Sequence, residues 1–243
     1  MNLIFLIIGL SLCTFTTILS IVLKNKKSAI TALFSKIIAS FCFVLLAVLL
    51  GFSKNQVGYY ASMPICLIII GLVLSVIADF LLEAKTMYEF HQKQYLVFGM
   101  TCYCIAQVFN IVAILTFVNT QINLSNFIVT ALIITAVCLL LTLAYYLIST
   151  KVIKLKYQKH SIIFILYCLT LIVSTILSCY FAIALKNYYM LILAFAFVLF
   201  FIFNVMLSLQ HLGQKQKDKN YVSLSNAIYY IAQVLLALFI YFV

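Results

Sequence analysis

Charged residues are scarce in this sequence. They make up 8% of its 243 residues, and arginine is missing, so all 15 basic residues are lysines, set against four acids. Proline occurs once. With 67% hydrophobic residues and so few charges, a water-soluble fold is excluded and an integral membrane protein is required. There is no Ser-His-Asp arrangement, no HExxH and no glycine-rich phosphate loop, which removes the usual local signatures of hydrolases and nucleotide-binding proteins. His91, His160 and His211 fall between apolar runs, where a solvated imidazole is the simplest state. The Cys102-x-Cys104 pair has neither a second pair nor a nearby histidine, so no metal and no cofactor is expected. All eight cysteines lie in apolar runs and read as small apolar side chains. The opening MNLIFLIIGLSLCTF has no positive charge before Lys24 and no A-x-A site, and Cys13 follows Leu12. It is expected to be a retained first helix, not a signal peptide or lipoprotein anchor.

What the chain does have is long, continuous apolar runs. A membrane-spanning helix needs about 20 such residues to cross a hydrocarbon core of roughly 30 Å. That ruler places eight transmembrane helices at 3–23, 29–51, 60–83, 96–117, 126–148, 162–185, 190–210 and 222–243. Because the runs do not alternate, a β-barrel is disfavoured, and the expected fold is an all-α integral membrane protein with one polytopic domain. Segments 24–28, 84–95, 149–161 and 211–221 hold twelve lysines, against two in 52–59, 118–125 and 186–189. By the positive-inside rule the first set faces the cytoplasm, both termini face outward, and the protein is a multi-pass protein of the cell membrane. The net charge of +11 thus follows topology, with some attraction to anionic headgroups, and no nucleic-acid partner is expected.

The tetrapeptide IAQV occurs twice, at 105–108 and 231–234, within the fourth and eighth helices. Each of these follows a matching helix: LVLSVIADFLLE (72–83) in the third, FVLFFIFNVMLS (197–208) in the seventh, with Asp79 aligned on Asn204. A four-helix offset preserves direction across the membrane. The chain therefore reads as two four-helix halves in a parallel repeat, with a site where they meet. Such a repeat would bring Asp79 near Asn204 and Gln107 near Gln233. The alternative for either glutamine is a plain interhelical hydrogen bond, worth about 0.6 kcal/mol on average in a membrane.

Lys36 lies about 10 Å into the second helix, and Asp79 about 6 Å from the end of the third, at 1.5 Å per residue. A charge within a span costs about 2.5–3.5 kcal/mol on insertion scales, so such groups face a cavity or one another. Lys36 has two readings, a partner for Asp79 or a side chain snorkelling to the headgroups. Gly71, Ser75, Asp79 and Glu83 recur every four residues on one helix face. Further polar stripes run through Tyr103, Gln107 and Asn110, through Asn204, Ser208 and His211, and through Asn226, Tyr229, Tyr230 and Gln233. The fifth helix has no such stripe and is expected to be peripheral.

These residues resemble the YhhN-like family, the membrane lysoplasmalogenases. Its pattern has eight helices, a lysine early in the second, and a Gly-Asp-type motif ending the third. A G-x-x-x-aromatic-x-x-A-His-x-x-Tyr pattern lies in the fourth, a Ser-Asp motif ends the seventh, and Tyr-x-x-Ala-Gln lies in the eighth. The counterparts here are Lys36, ADFLLE with Asp79, GMTCYCIAQVFN from Gly99, FNVMLS with Asn204, and YYIAQ ending at Gln233. Three positions depart: the family's histidine is Gln107, the tyrosine after it is Asn110, and the second aspartate is Asn204. The resemblance implies hydrolysis of the vinyl-ether bond of a lysoplasmalogen or related lysophospholipid to a fatty aldehyde and a glycerophospho-base. It implies catalytic positions at Asp79 and Asn204. Lys36, Ser75, Glu83, Gln107, Asn110, Tyr229 and Gln233 are then expected to bind substrate or support the site. Vinyl-ether cleavage needs one group to protonate carbon and another to activate water, work that two carboxylates do in glycoside hydrolysis. Asn204 can hold a water but cannot take its proton. Two readings therefore stand: an ether-lipid hydrolase centred on Asp79, acting as acid or as base, and a non-catalytic lipid-binding or transport protein on the same fold.

Overall fold

A computed structural model describes the chain apart from residues 1, 27–28, 53–58, 86, 120–123, 152–160, 187, 213–218 and 243. Its elements are α1 (Asn2–Lys26), α2 (Ala29–Phe52), α3 (Tyr59–Ala84), α4 (Gln92–Asn119), α5 (Leu124–Lys151), α6 (Ser161–Ala184), α7 (Tyr188–Leu212) and α8 (Lys219–Phe242), with a 3-10 turn at Glu89–His91 leading into α4. All eight are long and apolar enough to cross a membrane, and no strand occurs among the described residues. The all-helical, eight-span architecture is as the apolar runs require. Several helices run beyond the runs: α4 begins at Gln92 and α1 continues to Lys26. Lys24, read from sequence as a loop residue, is thus helical.

Packing partners repeat between the halves. α1–α2, α2–α3 and α3–α4 recur as α5–α6, α6–α7 and α7–α8, and the two seams, α4 on α6 and α8 on α2, are equivalent under the same shift. Burial agrees at the outermost pair, with only 22% of the span buried in both α1 and α5. These neighbour relations suggest the two-half repeat. The match is incomplete, because α1 also packs on α8 while α5 packs mainly on α6. The exterior carries exposed Ile, Leu and Phe, such as Ile18, Phe41, Leu140 and Phe195, as lipid-facing helices should.

α3 and α4 make the most extensive pairing in the bundle, and two glycines allow it. A Cβ at Gly99 would stand 2.9 Å from Leu82 Cγ, and one at Gly71 would stand 2.8 Å from Asn110 Oδ1 and 3.2 Å from the Ala106 carbonyl. Small residues let membrane helices approach where lipid gives no hydrophobic drive. That close approach brings the Tyr103 face of α4 onto Asp79 of α3.

Candidate functional site

Asp79 is wholly buried, and each of its oxygens has two donors. Oδ1 accepts from Tyr103 OH at 2.7 Å and from Lys36 Nζ at 3.1 Å. Oδ2 accepts from Ser40 Oγ and Tyr229 OH, both at 2.6 Å. An ionised carboxylate offers about four acceptor sites, so this one is full. Its donors come from α2, α4 and α8, which makes Asp79 the point where four helices are tied together.

Lys36 is buried and does not snorkel. Besides Asp79 its Nζ lies 3.4 Å from Glu83 Oε1 and 5.8 Å from the centroid of the Tyr229 ring, within cation–π reach. Glu83 Oε1 also pairs with Lys24 at the end of α1. Two ammonium groups and two carboxylates thus alternate across α1, α2 and α3. Burying charges is tolerated only with such mutual pairing and full hydrogen bonding.

The repeat explains the twin amides. Tyr103 and Tyr229 each stand four residues, one helical turn, before the glutamine of IAQV, and both hydroxyls converge on Asp79. Their rings meet edge to face at 6.3 Å, with Tyr167 stacked on Tyr103 and Phe203 against Tyr229. The two glutamines then diverge. Gln107 Oε1 takes the long arm, 3.4 Å, of a Ser174 hydroxyl on α6 that donates mainly to the Leu171 carbonyl at 2.9 Å. Gln233 Nε2 donates to Tyr229 OH at 2.7 Å, extending the chain Asp79–Tyr229–Gln233. Gln233, Tyr229, Ser40, Ser75, Phe43, Leu72 and Val76 close around a crevice with no room for a water.

The second half holds a neutral echo of this centre. Setting the first residue of α6 against the first of α2 puts Cys168 in register with Lys36. Asn204, the counterpart of Asp79, donates to Cys168 Sγ at 3.5 Å, and its Oδ1 accepts no hydrogen bond. Where the first half has an ammonium–carboxylate pair, the second has a thiol and an amide.

Of the residues singled out from sequence, Asp79, Lys36, Glu83, Tyr229 and Gln233 come together, and Ser75 lines the adjoining crevice. Gln107 bonds on the α6 side and Asn204 beside Cys168. Asn110 lies against Gly71, eight residues and about 12 Å along α3 from Asp79. Ser40, Tyr103 and Lys24 complete the centre but were not chosen for it. Ser40 stands one turn after Lys36, and the Tyr103 signal was its position relative to IAQV.

No curated protein and no solved structure matches this chain. The YhhN family model matches residues 31–240, a range that takes in α2 to α8 almost whole and with them Lys36, Asp79, Tyr103, Tyr229 and Gln233. The chain belongs to the YhhN family.

Proposed function

We propose that the protein is a membrane lipid hydrolase that cleaves the vinyl-ether bond of a lysoplasmalogen or related lysophospholipid at the crevice beside Asp79. The observation that carries this reading is the hydrogen-bonded chain from Lys36 through Asp79 to Tyr229 and Gln233, which ends at a crevice inside the bundle. Asp79 has no acceptor site to spare, so it acts through its neighbours as a positioning charge. Tyr229 OH is the proton-bearing group at the crevice wall.

The chemistry then runs as acid catalysis followed by hydration. Tyr229 turns the proton that rests on Asp79 Oδ2 to the outer vinyl carbon, and the ether oxygen's lone pair turns the inner carbon into an oxocarbenium ion. The Asp79 carboxylate offsets that positive charge. Gln233 Nε2–H holds the phenolate oxygen, and the Lys36 ammonium over the ring offsets its charge. Water adds to the inner carbon and returns a proton to Tyr229, and the hemiacetal breaks to the fatty aldehyde and the glycerol hydroxyl. Substrate access requires Phe43, Leu72 or Val76 to swing aside, because the crevice is closed.

The second reading, a lipid-binding protein without turnover, is favoured by Asn204 and Cys168, which put an amide and a thiol where a second carboxylate would take a proton from water. Purified protein incubated with lysoplasmalogen separates the two. Hydrolysis releases aldehyde and loses at least tenfold in rate in Tyr229→Phe, in line with the usual 10²–10⁴-fold worth of a general acid. Binding without aldehyde release would overturn the hydrolase.

A further inference from the structure

A second space lies in the other half of the bundle. Four side chains of α5, three of α6 and Phe201 of α7 line a cavity of about 350 Å³, whereas Asp79 and its partners lie on α2, α3, α4 and α8. The α5 wall is Leu141, Ala144, Tyr145 and Ile148, spaced as i, i+3, i+4 and i+7, a single helix face. α5 packs mainly on α6, and Ala144 contributes only a methyl group to the wall, which leaves the space unfilled. Tyr145 braces one side, stacked on Phe164 at 6.2 Å and tilted against Phe201 at 6.1 Å. The rim is open to the bilayer, since Leu141 and Ile148 are 46% and 52% exposed.

An apolar gap open to a bilayer takes up hydrocarbon, because a void forfeits the dispersion contacts of its lining. Thr175 spends its hydroxyl proton on the Leu171 carbonyl at 2.7 Å, so it adds no free donor to the groove. The charge lies at one end. The face of α5 that lines the groove runs on from Ile148 to Lys151, three residues further, exposed and in the last turn of the helix. A chain lying along residues 141–148, about 10 Å at 1.5 Å per residue, therefore brings its headgroup to an ammonium. An ammonium there favours a headgroup with net negative charge over a zwitterionic one, which brings its own cation. We propose that the α5–α6–α7 groove holds one acyl chain of a resident anionic phospholipid whose phosphate pairs with Lys151. This lipid fills the gap beside α5 and is separate from any lipid that reaches Asp79.

The chain has no tryptophan, so Phe201→Trp places a lone fluorescent reporter on the groove wall. Delipidated full-length protein in detergent is titrated with a phosphatidylglycerol brominated at mid-chain, which quenches tryptophan on contact. Quenching is expected to saturate at a single lipid per protein. Unbrominated phosphatidylglycerol should relieve it at roughly fivefold lower concentration than phosphatidylcholine with the same chains, the preference conferred by one lysine near a lipid surface. Added to the reporter, Lys151→Gln should erase that preference while quenching persists, and Ala144→Phe, which fills the groove, should abolish saturable quenching. Native mass spectrometry of the unaltered protein should find the same single retained lipid. If Ala144→Phe fails to fold, Lys151→Gln at the helix end still decides. Quenching that rises in proportion to lipid without saturating would reduce the groove to ordinary bilayer contact and overturn the inference. Equal competition by the two lipids would overturn it too, as would a preference that survives in Lys151→Gln. A dimer of the lipid-free protein that Ala144→Phe disperses would put a second copy of the chain in the groove instead.

Discussion

Lys36→Met probes the buried ion pair most severely. Methionine keeps much of the lysine stem, so packing changes little, but Asp79 is left with three neutral donors, Ser40, Tyr103 and Tyr229. Of the four described charges there then remain the two carboxylates and Lys24. Removing one partner of a buried pair costs about 3–5 kcal/mol, because the other charge stays in low dielectric. Asp79→Asn should cost less. Lys36 keeps Glu83 at 3.4 Å, so no ammonium is stranded. Asparagine is not innocent, since its NH2 replaces an oxygen that faces two donors, a mismatch worth about 1–3 kcal/mol. The double variant removes both charges and should be more stable than the sum of the single effects implies, by about 2 kcal/mol. The chain has no tryptophan, so unfolding in detergent is best followed by circular dichroism. A Lys36→Met penalty below about 1 kcal/mol, the range of an exposed pair, would refute this, as would strictly additive penalties.

Asn204→Asp on its own should lower stability by several kcal/mol, since its neighbour is the Cys168 thiol and not an ammonium, and adding Cys168→Lys should recover much of the loss; unfolding midpoints of the three proteins decide it. Gly71→Ala is expected to cost about 1–3 kcal/mol by pushing on Asn110 and the Ala106 carbonyl, whereas tolerance of alanine would contradict the close α3–α4 approach. The lysine distribution predicts that cysteine-accessibility labels reach loop 149–161 from the cytoplasm and residues near Asn119 from outside, and reversed labelling would overturn that orientation.

The spans and the charged pair are legible in the sequence for different reasons. An unbroken apolar run has one physical outcome in a membrane, a helix, so all eight elements were legible. Lys36 and Asp79 were legible because a charge at that depth needs a partner, and few were available. Periodicity identifies a face but not what the face meets. The repeat therefore suggested that Gln107 and Gln233 share a site, while their hydrogen bonds go to Ser174 and Tyr229. Lys24 was hidden because a hydropathy ruler stops at the first charge, whereas helical hydrogen bonding carries on and delivers its ammonium to Glu83. The convergence of Tyr103 and Tyr229 on one carboxylate is a property of the packed halves. The Asp79/Asn204 difference is visible in sequence, whereas that convergence needed three dimensions.

The most direct test is to incubate the purified protein with a lysoplasmalogen in D2O and read the aldehyde by mass spectrometry. Proton transfer to the outer vinyl carbon predicts one solvent deuterium on the carbon next to the aldehyde group, with the glycerophospho-base formed in equal amount, and loss of both products in Asp79→Asn. Absence of aldehyde from folded, lipid-bound protein would contradict hydrolysis at this centre, and so would undiminished, deuterium-labelled aldehyde from Asp79→Asn.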